Sequence, residues 1–582
     1  MILRYFDRKD WALTGVCVVL IALQVYLDLE IPDYMSKITT IMTTGGSIDE
    51  VLSNGGLMLV CALLSLVLSF IVGFIAAGIA ASLSKRLRDL QFSRVESFSL
   101  EEMNRFSTSS LITRSTNDIT QVQMAVAMGL QVTIKAPIMA VWAITKIADK
   151  NWEWTLATAV VVVLMVALIG ILMLYVGPKF KRIQWLTDDV NRATRENLTG
   201  VRVVRAYNAE SYQEEKFSEA NRNLTDTNLS ANRAMAIMFP SMSALMNGLS
   251  LAIYWIGALL ISSAGAMEKY ILFSDMIVFS SYAMQVVMAF MMMIVIFMIL
   301  PRAVVSARRI EEVIGTEPSI VDGGGREGTP GMEGTVSFRN VSFAYPGTTE
   351  NTLCDISFEA RKGETVAFIG STGSGKTTLA NLIPRFYDVT EGSVMVDGRD
   401  VREYDLDALR GKIGYVPQKA FMFAGTVDSN VRYGSDSDKR TGEEVRRAIS
   451  IAQAAEFVDR LEGGTGGEVT PGGTNFSGGQ KQRRSIARAV CRDPEIYIFD
   501  DSFSALDYRT DRALREALRR ETAGVTTLII AQRIGTILDA DRIIVLDDGH
   551  VAGIGTHREL LENCPVYLDI ARSQLSEEEL MQ

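Results

Sequence analysis

The residues Gly370-Ser371-Thr372-Gly373-Ser374-Gly375-Lys376-Thr377 satisfy the pattern G-x-x-x-x-G-K-[ST] in full. Glycines at this spacing let successive backbone N–H groups converge on phosphate oxygens at the positive end of a helix. A lysine at position 376 reaches β- and γ-phosphates, and the Thr377 hydroxyl suits Mg²⁺. Thr378 completes the candidate nucleotide contacts. The pattern needs a strand before it and a helix after it. The apolar run Thr365–Ile369 and the helix-forming stretch Thr377–Leu382 supply both. A second apolar run, Ile496–Phe499, ends in Asp500-Asp501. A carboxylate at Asp500 holds Mg²⁺ directly or through water. These residues together predict an ATP site that uses Mg²⁺.

The elements that must carry this site occupy only part of the chain. At 582 residues the sequence is too long for one domain. Its first three hundred residues hold six apolar segments, near 11–29, 57–82, 128–147, 156–176, 235–262 and 275–300. Each is long enough to cross a bilayer. The first lacks a small-residue cleavage site and reads as a retained helix rather than a secretory signal. Basic residues gather after the second segment (Lys85, Arg86, Arg88, Arg94, Arg105, Arg114) and after the fourth (ten between Lys179 and Arg233). That asymmetry predicts both termini in the cytoplasm. The stretches 83–123 and 179–233 are poor in glycine and proline, and are expected to be helices running on beyond the bilayer.

The remainder reads as a soluble α/β domain behind a breaker-rich linker of Gly323, Gly324, Gly325, Gly328, Pro330, Gly331 and Gly334. The expected layout is a six-helix transmembrane domain over 1–315, a linker over 316–333, an α/β nucleotide-binding domain over 334–574 and a tail over 575–582. The net charge of −10 and the lack of a basic stripe argue against a nucleic-acid partner. Five scattered cysteines and two histidines form no metal or disulfide pattern. Lys135 in the third segment either faces a central cavity or snorkels to an interface, and we favour the second. The sixth segment is rich in methionine (Met284, Met288, Met291, Met292, Met293, Met298). Such side chains suit either a path for varied apolar ligands or plain helix packing.

Further motifs make the chain resemble a half-size ATP-binding cassette (ABC) exporter over nearly its whole length. Ser477-Gly478-Gly479-Gln480 resembles the family's signature, with Phe476 where leucine is usual, and Lys481-Gln482-Arg483 and Ile486-Ala487-Arg488-Ala489 continue the pattern. Val416-Pro417-Gln418 resembles the Q-loop, which implies that Gln418 lies near Mg²⁺ with Thr377 and Asp500. Ser504-Ala505-Leu506-Asp507 resembles the D-loop, and Tyr345 matches the aromatic position that stacks on adenine. Gly553-Ile554-Gly555-Thr556-His557 is similar to a stretch near the end of the family's nucleotide domain. Leu111–Asp118 and Arg202–Glu210 resemble the family's two intracellular coupling loops.

Two positions depart from the family. Asp501 stands where a glutamate usually polarises the attacking water, and Gln532, in Ala531-Gln532-Arg533, stands where a switch histidine contacts the γ-phosphate. An aspartate sets its carboxylate back by about one ångström, and such a misplacement can cost on the order of 10²-fold in rate. Gln532 bonds a phosphate without carrying charge. Thr470-Pro471-Gly472-Gly473 also replaces a stretch in which exporters often have glutamate. The resemblance therefore implies the degenerate half of a heterodimeric, multidrug-type exporter in a cytoplasmic membrane. Its own ATP site would be slow, and its signature would complete the active site of a second half-transporter. Transport of small amphipathic or hydrophobic substrates across the lipid bilayer is the expected function. A homodimeric exporter and an ATP-gated regulator on the same scaffold are the alternatives.

Overall fold

The computed structural model describes residues 2–148, 150–434 and 437–575. The chain divides into two compact units, one of Met1–Val95 with Ser109–Thr316 and one of Glu96–Thr108 with Glu317–Gln582.

The first unit is helical. Its long helices are α1 (Arg8–Thr43), α2 (Ile48–Glu96), α3 (Ile119–Ala148), α4 (Trp152–Thr199), α5 (Glu210–Ser263) and α6 (Ala266–Gly315). Among the described residues, six spans are long and apolar enough to cross a membrane, in agreement with the six segments read from the sequence. α2, α4, α5 and α6 run 48 to 54 residues. At 1.5 Å per residue each is about 75 Å long, more than twice a hydrocarbon core of about 30 Å. The helices therefore continue well past any bilayer. Apolar side chains lie on both sides of the bundle. Phe70, Phe74 and Leu174 are exposed, while Trp154, Leu249, Ile253, Phe279 and Tyr282 are buried. Trp154 and Phe279 meet with ring centroids 5.4 Å apart. An apolar exterior around an apolar interior is stable in lipid, where shape rather than water drives helix packing.

Several charges in this unit are matched in pairs. Lys135 of α3 lies 3.1 Å from the Asp28 carboxylate of α1, a partner that neither sequence reading of Lys135 named. Asp28 also accepts a hydrogen bond from Ser65 of α2. Lys146 pairs with Asp33, and Lys150 lies 2.6 Å from Asp275 of α6. Of the methionines in α6, Met291 and Met293 pack against the buried cluster around Tyr282, and Met288 is exposed. The Met298 side chain lies outside the described residues.

The second unit is built on two principal sheets. Strands β1 (Val336–Phe343), β2 (Leu353–Ala360), β4 (Glu391–Val396) and β5 (Arg399–Asp400) form an antiparallel sheet in the order β2-β1-β4-β5. The larger sheet combines β3 (Thr365–Gly370), β6 (Ile413–Val416), β9 (Ile496–Asp500), β10 (Thr526–Ile530), β11 (Arg542–Asp547) and β12 (His550–Gly555) in the order β12-β11-β3-β10-β9-β6. The short strands β7 (Gly425–Thr426) and β8 (Glu468–Val469) pair separately. All strand pairs of the larger sheet are parallel except β11 with β12. Its inner strands are continuous apolar runs, as a sheet buried on both faces requires. Ile530 at the end of β10 pairs with Phe368 of β3 on one side and Asp500 of β9 on the other. The loops after these three strands consequently leave from one edge, where ligands of open α/β sheets bind.

Glu96–Thr108 groups with this second unit although it follows α2 in the chain. Its short helix, Leu100–Phe106, is capped by Ser99 and Glu102. Glu102 is buried and accepts the Ser319 N–H at 3.0 Å. Asn104 donates to the Tyr387 hydroxyl at 3.1 Å.

The matched charges of the helical unit lead to a prediction. K135M leaves Asp28 without its cation in an apolar bundle and is expected to cost about 3 kcal/mol. Thermal unfolding in detergent should show a clear drop for K135M, and most of that drop should return in D28N/K135M.

Candidate nucleotide site

The phosphate loop joins β3 to the helix α7 (Lys376–Leu382). Two of its glycines are required by space. A Cβ on Gly370 would sit 2.0 Å from the Leu546 carbonyl oxygen. Gly375 has φ +91°, and a Cβ there would lie 2.5 Å from Leu353 Cδ2. Ser371, Thr372 and Gly373 form the exposed rim, and the Ser374 N–H closes the turn onto the Ser371 carbonyl at 3.3 Å. Lys376 is buried inside the loop. Its ammonium donates to the carbonyls of Gly370 (2.9 Å) and Ser371 (2.7 Å) and to Ser374 Oγ (3.2 Å). Burial lowers the Lys376 pKa, against the opposing pull of Asp501 and Asp500.

Asp500 ends β9, and its Oδ1 accepts from Thr377 Oγ1 at 3.0 Å. Burial pushes its carboxyl up to about 6; the Asp501 charge adds to the rise and the Thr377 hydroxyl opposes it. A buried carboxylate with a hydroxyl at its side is a donor set that fits a divalent cation. The backbone beside it suits phosphates, since Gly370 and Gly375 have no room for a side chain against Leu546 and Leu353 and so hold the loop in its tight turn at a helix start.

Asp501 has φ 45°, in the left-handed region that aspartate tolerates better than most residues. One of its oxygens, Oδ2, accepts from two amides, Gln532 Nε2 at 2.9 Å and Gln418 Nε2 at 3.2 Å. The sequence places these three residues in three motifs, and the structure brings them onto one atom. Gln532 is itself held from behind. Gln574, at the end of the helix Pro565–Gln574, donates to the Gln532 carbonyl and accepts from the Ile534 N–H, both at 2.9 Å. Sequence reasoning missed Gln574, because nothing in a terminal helix marks a residue whose partners lie forty positions away.

Tyr345 follows β1, and its hydroxyl lies 2.9 Å from Thr378 Oγ1. Its ring meets Phe343 and Tyr387 edge-on, with centroids 4.9 and 5.3 Å away. Tyr387 also accepts from Asn104, so a continuous set of contacts runs from the Leu100–Phe106 helix through two aromatic rings to the phosphate-loop helix. Asn104 and Tyr387 belong to no motif and went unnamed in the sequence.

The signature segment forms its own substructure. Ser477 caps the helix α8 (Gly478–Cys491), with the Gln480 N–H 3.3 Å from Ser477 Oγ and the Ser477 N–H 3.0 Å from Gln480 Oε1. This capping box leaves the N–H groups of Gly478 and Gly479 at the positive end of a 14-residue helix. Among the described residues, no hydrogen bond ties Ser477–Gln480 to the phosphate loop of the same chain.

Comparison with known proteins places this geometry. Residues 14–290 match the family described as ABC transporter transmembrane region, and residues 353–504 match ABC transporter. An uncharacterized ABC transporter ATP-binding protein of Mycobacterium tuberculosis is 38% identical over 575 residues, 98% of each chain. One of Bacillus subtilis is 34% identical over 568 residues, 97% of each. An ATP-dependent lipid A-core flippase of Pseudomonas fluorescens is 35% identical over 467 residues, 79% of this chain and 75% of that one. In fold, the structure of a bacterial Atm1-family ABC exporter with ATP bound matches with TM-score 0.80 at 24% identity, covering 98% of this chain and 100% of that one. The chain thus belongs to the ABC transporter family, with the transmembrane region and the ATP-binding domain of an exporter fold fused in one polypeptide and an ATPase coupled to transport as its activity.

Proposed function

We propose that this chain is one half of a heterodimeric exporter and carries the slower of two ATP sites. The observation behind this reading is the Asp501 carboxylate. It is one methylene shorter than glutamate, and Gln418 and Gln532 both donate to its Oδ2. An acid committed to two amides is a poor base for water, and Gln532 brings no charge to a γ-phosphate. The near-normal signature at Ser477–Gln480 would complete the site led by the partner half. Tyr345, the 370–378 loop and Lys376 would hold the nucleotide, and Thr377, Gln418 and Asp500 would hold Mg²⁺. When bound, Mg²⁺ neutralises phosphate charge. Lys376 orients the phosphates, and Asp501 and Gln532 set how well water is aligned.

Both termini would lie on the cytoplasmic side of a cytoplasmic membrane, following the basic loops. Small amphipathic or hydrophobic compounds, lipids included, are the substrate class that suits an apolar bundle with a methionine-rich sixth helix and a flippase among its relatives. The intact phosphate loop and Asp500 favour a homodimeric exporter as the second reading. ATPase activity in lipid separates the two: weak activity alone and robust activity with a second half-transporter support the heterodimer, and robust activity alone replaces it with the homodimer.

K376M is expected to lower ATP affinity at this chain's loop on the order of 10- to 100-fold, the worth of charge-assisted hydrogen bonds to phosphate, as read by equilibrium binding of labelled ATP. D501E/Q532H should raise hydrolysis at this chain's own site by on the order of 10- to 100-fold. Single-turnover assays with the partner's phosphate-loop lysine replaced check this, and an unchanged rate counts against the slow-site reading.

A further inference from the structure

Arg484 lies in the signature helix α8, seven residues after its cap. Its side chain is buried, at 1% exposure. Among the described residues, none of its three guanidinium nitrogens has a hydrogen-bond partner. Burial pushes its pKa down to about 10. What the guanidinium has instead is aromatic faces. Its central carbon lies 3.2 Å from the ring centroid of Phe476 and 5.5 Å from that of Phe457. Phe476 is itself nearly buried and immediately precedes Ser477.

Such a residue does not serve stability. A buried cation without hydrogen bonds is costly, and apolar side chains of similar volume commonly replace buried charges at no loss. Cation–π contact recovers part of that cost, which accounts for an aromatic residue at 476, where leucine is usual in the resemblance drawn from the sequence. The remaining effect of the charge is its field. Side chains on a helix lean toward its N-terminus, so the guanidinium stands within roughly 10 Å of the Ser477–Gly479 amides. It adds a full positive charge to the partial one at that helix end, where anions bind.

We propose that Phe476 and Arg484 act as one unit, a positioning pair that holds the signature loop and makes its helix end more attractive to the phosphates of the nucleotide it receives from a second subunit. The inference rests on the reading that this signature completes an ATP site across a dimer. It holds whether the second subunit is a different half-transporter or a copy of this chain.

The test is a double-mutant cycle on the full-length dimer in lipid, reading kcat and KM for ATP together with Tm. R484M is expected to raise KM on the order of tenfold, the effect of one unit charge at this range in a protein-like dielectric, with Tm unchanged or higher. R484K, which keeps the charge, should recover most of the KM. F476L should raise KM when Arg484 is present and have little further effect in R484M. A KM within twofold of the parent in R484M, a fall in Tm that accompanies the loss, or strictly additive effects of F476L and R484M would overturn the proposal. If R484M does not fold, F476L and F476W carry the test: F476W must return KM toward the parent value and F476L must not, and equal KM values overturn the pair. The slow-site reading is tested separately through D501E/Q532H, so either can fail while the other stands.

Discussion

The parallel register of β3, β10 and β9 is the constraint on which the nucleotide site depends. Ile530 stands level with both Phe368 and Asp500. Two residues beyond Phe368 the chain enters the phosphate loop, and one residue beyond Ile530 and Asp500 it reaches Ala531 and Asp501. A slip of one residue in either ladder would turn alternate side chains to the opposite face of the sheet. Asp500 would then no longer lie beside Thr377, nor Gln532 beside Asp501. The strands are apolar along their length and buried on both faces, so what pins them is packing on two sides rather than any contact at the site.

Within that frame the acids at the site divide the work by environment. Asp500 is buried, its carboxyl pushed up to about 6, and bonded to a single hydroxyl. Asp501, one residue later, turns out of the strand in a left-handed conformation and is held by amides from two separate loops. Gln574 extends this arrangement to the terminal helix, since its amide fixes both the carbonyl of Gln532 and the N–H of Ile534. The loop that carries Gln532 is therefore positioned by an element remote in sequence, and the local composition around 532 does not show it.

Buried charge is handled in two ways. In the helical unit Lys135, Lys146 and Lys150 each find an acid on α1 or α6, because lipid offers no water to an unpaired ion. In the second unit Lys412 likewise meets Asp397, but among the described residues Arg484 meets no acid and rests on Phe476 and Phe457. The first solution joins neighbouring helices. The second leaves a positive charge unspent next to a helix end.

The sequence by itself determined the broad plan. Runs of about 20 apolar residues have the length of a bilayer span, and a strand followed by a glycine loop that ends in Lys-Thr at the start of a helix has one common use. These signals are local, because each depends on the length or spacing of neighbouring residues. The two fused domains of exporter fold followed from them. Only tertiary structure decided which distant groups share an atom or a face: Asp28 with Lys135, Asp501 with Gln418 and Gln532, Gln574 with the loop at 532, Asn104 with Tyr387, and Arg484 with Phe476. Each of these contacts joins segments whose approach is set by helix packing or by strand order, and side-chain type alone carries no record of either.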